Sequence, residues 1–116
     1  MAKKREKEIE VTISSGNVFA DLGFAQPEEE LAKAKLAGHI WQIVKDRNLT
    51  QAAVGKMIGI DQPKVSALLK GRLANFSSDR LMRFLTALGE DVDIVVRHAP
   101  KSREKGRVRV LTGAAA

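Results

Sequence analysis

The sequence predicts a mainly α-helical, compact bundle of four to five helices, closed by a C-terminal β-strand or short hairpin and expected to dimerise. Three observations predict it. Apolar residues recur at helical spacing in two long windows, Leu36-Ile40-Ile43-Val44 and Leu81-Phe84-Leu85-Leu88. Glycines and short polar residues punctuate the region between them at intervals that suit short helices. After Gly89 the pattern changes to alternation, with Val92, Ile94 and Val96 on one side of Asp91–Arg97.

The elements follow in order. Residues 1–8 read as a charged arm, with no apolar run behind them of the kind a secretory signal needs. Ile9, Val11 and Ile13 alternate as a short strand would, and Ser14–Asn17 breaks the pattern. Val18–Phe24 is apolar for its size and holds two of the four Phe residues. It either packs on the first helix or orders on a protein partner. Gln26-Pro27-Glu28-Glu29-Glu30 is a helix start, with Pro at an early position and carboxylates at the positive end of the dipole. That helix is expected to bend or split near Gly38 and to end at Asn48. Thr50 and Asp61 are placed to cap the next two helices, and Pro63 sits early enough in its helix to be tolerated. A loop from Arg72 to Ser77 leads to a last helix from about Ser78 to Gly89.

The strand at 91–97 needs partners for its backbone groups. Val108–Leu111 as a hairpin, Ile9–Ile13, or a second copy across a two-fold axis can supply them, and the last suits the motif described next. The divisions are therefore an N-terminal arm at 1–25, a helical domain at 26–90, a strand and basic segment at 91–111, and a frayed tail at 112–116.

The most informative stretch is Thr50–Gly71, which reads as a helix-turn-helix. Counting from Gln51, the fifth position must be small because the second helix crosses it, and Gly55 is there. The ninth must turn the chain, and Gly59 does so without a Cβ penalty. Val54, Ile58, Ile60, Val65 and Leu68 fall where the two helices face inward. In such a motif the start of the second helix reaches base edges. Gln62 leads, because its amide can bond adenine bidentately. Lys64 suits guanine, and Pro63 and Ala67 suit thymine methyls. Gln51, Ser66, Lys70, Arg72 and Ser77 are expected at the DNA backbone.

Charge agrees with this placement. The formal net charge is +6 over 116 residues, which favours a polyanionic partner. Between Gln62 and Arg83 five basic residues face one acidic residue, and from Arg97 onward six face one. Enzymatic chemistry has little material. There is no cysteine, His39 and His98 lie far apart in the chain, and no Gly-rich phosphate loop is present. No catalytic residue, metal or cofactor is assigned. With 4% aromatic residues, recognition of single strands by stacking has little to work with. No apolar run is long enough to span a membrane, and the cytoplasm, with association to the nucleoid when DNA-bound, is the expected location. Trp41 is expected in the core or at an interface.

Thr50-Gln51, Val54-Gly55, Ile58-Gly59-Ile60, Gln62, Val65-Ser66 and Gly71 together resemble the phage-repressor-like (XRE/Cro) helix-turn-helix family over about residues 36–89. Asn17–Phe24 and Gly89–Val96 further resemble HigA-type antitoxins. The resemblance implies a dimeric repressor of its own operon that, in antitoxin members, neutralises a small RNase toxin. It implies toxin contacts at Val11, Ile13, Val18, Phe19, Leu22 and Phe24, and dimerisation through Val92, Ile94 and Val96. A regulator of the same family without a toxin is the alternative. Four positions depart from the pattern. Gly55 stands where Ala is common, Pro63 and Ala67 where polar reading residues are common, and Leu69 where a polar residue is common.

Overall fold

The computed structural model describes residues 27–113; the N-terminal assignments at Val11, Ile13, Val18, Phe19, Leu22 and Phe24 lie outside them. Four helices follow one another within the described residues: α1 (Pro27–Asp46), α2 (Gln51–Ile58), α3 (Gln62–Leu69) and α4 (Ser78–Ala87). The longest, α1, packs against α4 and α3, while α2 packs against α3 and α4. Its apolar stripe of Leu36, Ile40, Ile43 and Val44 is buried as the spacing predicts. The stripe of α4 (Leu81, Phe84 and Leu85, with Leu88 just past its end) meets it, and Val54, Val65 and Leu68 pack into the same core. Removal of these side chains from water drives association of α1 with three helices that are too short to be stable alone.

Local chemistry fixes the helix ends. Thr50, Asp61 and Ser77 each accept a bond from the backbone N–H three residues on, at Ala53 (3.0 Å), Lys64 (3.2 Å) and Arg80 (3.1 Å). Each satisfies one of the donors that a helix start leaves free. Asn48 takes a left-handed conformation with φ 53° and turns the chain out of α1, as a short amide side chain permits.

Three expectations change. Helix α1 runs unbroken through Gly38; a single glycine weakens a helix by only about 1 kcal/mol, and burial on both sides of it outweighs that. Of the two places expected for Trp41, the core is not the one it takes: it is 43% exposed, with the Lys45 ammonium 4.9 Å from the ring centroid. The third change is the C-terminal strand. No strand forms among the described residues, and 91–97 does not pair with 108–111. Each segment instead spends one residue on the core, Val92 and Val110 respectively. The Val108 N–H bonds the Glu28 carboxylate on α1 at 3.2 Å, where a hairpin would give it a carbonyl. Val92 thus serves its own chain's core, whereas Ile94, Val95 and Val96 are 74%, 79% and 90% exposed.

The exit from α4 is held from the side. Arg47 Nη1 donates to the Leu88 carbonyl at 2.7 Å, satisfying an acceptor at the helix end, and Nη2 lies 3.4 Å from Glu90 Oε2. His39 Nε2 lies 3.0 Å from Glu90 Oε1. These contacts tie the end of α4 to α1 and set the point from which the C-terminal segment departs.

Candidate nucleic-acid interface

The turn between α2 and α3 is built around two glycines with different tasks. Gly59 has φ 80°, a left-handed conformation, and its N–H bonds the Gly55 carbonyl. The Ile60 N–H reaches the same carbonyl at 3.1 Å. At Gly55 the constraint is space. A Cβ there would stand 2.6 Å from the Ile60 carbonyl oxygen and 3.4 Å from Val65 Cγ2. The requirement for a small fifth residue is stricter in this chain than spacing alone indicates, because even a methyl group meets backbone.

That crossing fixes α3 with one side inward and one side free. Val65 and Leu68 are buried, and Gln62, Pro63, Lys64 and Lys70 are exposed. Ser66 and Ala67 are half-buried at the margin. The leading residues of α3 therefore stand at a capped helix start, on a helix held from behind by the core. Gln51 is half-buried in the first turn of α2, and Arg72 is exposed in the loop after α3.

Beside α3 lies an open groove of about 600 Å³ lined by Pro63, Lys64, Ala67, Arg72, the stretch Leu73–Phe76, and Arg80. It brings together three of the four base-reading candidates with one backbone candidate. Gln62, Ser66, Lys70, Gln51 and Ser77 do not line it. The groove carries three cations, Lys64, Arg72 and Arg80, and no carboxylate. A surface of this composition attracts a phosphate backbone.

Two features of this face escape the sequence reading. The loop Arg72–Ser77 is anchored by buried Leu73 and Phe76, with the Phe76 N–H on the Leu73 carbonyl at 3.0 Å. Arg80 forms the groove's far wall: its guanidinium carbon is 5.4 Å from the ring centroids of both Phe76 and Phe84. The available signal was the spacing, since Arg80 lies four residues from each Phe. Ser77, expected at a phosphate, has its hydroxyl oxygen engaged as the α4 cap. Its O–H remains able to donate.

Two helices crossed over a glycine, with the second presenting an exposed edge at its start, define a helix-turn-helix domain. A family model described as a helix-turn-helix domain matches residues 18–97. A solved structure named for the XRE family of transcriptional regulators is 43% identical, with a TM-score of 0.70; the match covers 74% of this chain and 97% of that one. No curated protein matches. The chain belongs to the XRE family of helix-turn-helix proteins.

Proposed function

We propose that the protein is a sequence-specific, double-stranded-DNA-binding transcriptional repressor, working as a homodimer and serving as the antitoxin of a type II toxin–antitoxin pair. It represses its own operon in the cytoplasm and neutralises a small RNase toxin. The observation that carries DNA reading is the exposed run Gln62-Pro63-Lys64 at the capped start of α3, backed by buried Val65 and Leu68 and flanked by a groove whose charged residues are all cationic. Gln62, Pro63, Lys64 and Ala67 read bases, while Gln51, Ser66, Lys70, Arg72 and Ser77 position the domain on phosphates. Gln62→Ala should weaken binding to a selected operator by about 1–3 kcal/mol and relax preference at one base pair. Equal losses on operator and random duplex, measured by fluorescence anisotropy, would remove Gln62 from the reading set.

The exposed run Ile94-Val95-Val96 supports dimerisation. An extended apolar segment with free backbone groups gains a full ladder by pairing with its own copy. Ile94→Asp should convert the dimer to monomer by light scattering, and an unchanged mass would reject this edge. Neutralisation of a toxin is assigned to the 1–25 arm. Its support is the resemblance of Asn17–Phe24 to antitoxins. Deleting residues 1–24 should spare DNA binding and abolish capture of the product of the adjacent gene. A second reading, a regulator without a toxin, is equally consistent with the name of the similar solved structure; failure of the full-length chain to retain that gene product in a pull-down would select it.

A further inference from the structure

Arg80 is singled out by neither the motif spacing nor the family resemblance, yet it is the most firmly held cation of the groove. Its backbone N–H closes the Ser77 cap, and its side chain turns back so that Nη1 donates to the Asn75 carbonyl at 3.4 Å. The guanidinium carbon is 5.4 Å from the centroids of both Phe76 and Phe84, whose rings meet edge to face at 5.9 Å. Nearby Asp79 is paired with Arg83 at 3.1 Å, and no carboxylate lines the groove that Arg80 shares with Lys64, Ala67 and Arg72. The fork has five N–H donors, and the Asn75 carbonyl takes one of them.

Resting on the DNA-binding reading above, we propose that Arg80 is a phosphate clamp, a guanidinium pre-set by two aromatic rings and the Asn75 carbonyl to grip the DNA backbone beside the base-reading start of α3. Both rings face a cation whose remaining donors are left for an anion with planar, bidentate geometry. Because rotamer freedom is already lost in the free protein, less is lost on binding. The clamp also fixes where the domain stops along the duplex. It grips from the start of α4, while Lys64 contacts from α3.

The test is a titration of full-length protein on a random-sequence duplex across a salt series, followed by fluorescence anisotropy. Arg80→Gln, which keeps a donor for the Asn75 carbonyl, and Arg80→Ala should each weaken binding about tenfold and reduce the log–log salt slope by about 0.9. Arg80→Lys should keep the slope and recover part of the affinity. Arg83→Ala, outside the groove, should leave both unchanged. Wild-type slopes in Arg80→Gln and Arg80→Ala would overturn the clamp while leaving DNA binding intact, as would an Arg83→Ala loss equal to theirs. Absence of any salt-dependent binding by the wild-type chain would instead overturn the regulator reading, and the clamp with it.

Discussion

Replacing Gly55 by Ala tests the packing of the motif most directly, because two ordinary effects oppose each other there. Alanine in a helix interior is favoured over glycine by up to about 1 kcal/mol, so propensity alone predicts stabilisation. The structure predicts the reverse. The added Cβ would lie 2.6 Å from the Ile60 carbonyl oxygen, so restoring an ordinary contact of 3.4 Å requires a relative shift of about 0.8 Å. The obstacle is backbone, and it cannot rotate away as a side-chain end can. Moving it strains the paired bonds from Gly59 and Ile60 to the Gly55 carbonyl. Overpacking of this kind costs about 1–3 kcal/mol. Against the propensity gain, a net loss of about 1 kcal/mol is expected, equivalent to a fall of roughly 4–8 °C in Tm for a domain of this size. Thermal melts followed by circular dichroism, with urea titrations alongside, measure it. A Tm equal to or above wild type would show that the crossing relaxes freely and would refute the reasoning. Since Ile60 leads directly into the Asp61 cap, operator affinity should fall as well.

Other outcomes follow from single contacts. Asp61→Ala removes the α3 cap and should cost about 1 kcal/mol by urea denaturation, with Asp61→Asn recovering most of it. Leu81→Ala, at a fully buried position linking α4 to the core, should cost about 2–5 kcal/mol in the same assay. Arg47→Ala should raise amide exchange in residues 88–92, because the Leu88 carbonyl and the Glu90 carboxylate both lose a donor. The pH dependence of Lys35 has a definite sign. Burial, with the Arg109 guanidinium adding repulsion, lowers its ammonium below the ordinary lysine value. The unfolded chain therefore holds that proton more tightly, and stability rises with pH between the lowered value and about 10.4. The wild-type urea midpoint should gain on that of Lys35→Gln through this window, and parallel curves would refute it.

The helical part of the fold was legible because periodicity and caps are local. Leu36, Ile40, Ile43 and Val44 declare a buried face by spacing alone, and Thr50 and Asp61 declare helix starts by residue type. The candidate reading residues were legible for the same reason, since Gln62, Pro63 and Lys64 follow directly from where Asp61 starts the helix. What the sequence hid is non-local. Whether Val92 joins a strand or the core depends on the hold that Arg47 and His39 place on Glu90, across 43 and 51 residues respectively. Phe76 looks like a loop residue until Phe84 and Arg80 are brought against it. Trp41 has a core residue's composition, but its position on α1 falls outside the buried stripe.

The caps of α3 and α4 carry a further consequence. In each, the residue whose N–H reaches the cap is basic: Lys64 on Asp61 and Arg80 on Ser77. A Glu at that position would close a reciprocal capping box, and a cation there opposes the positive end of the helix dipole. The free domain thus keeps two positive charges where the helix dipole alone disfavours them. A phosphate arriving at either site relieves that conflict. At Lys64, fold stability and the proposed contact with DNA therefore pull in opposite directions, whereas at Arg80 the rings of Phe76 and Phe84 offset the dipole in the free domain.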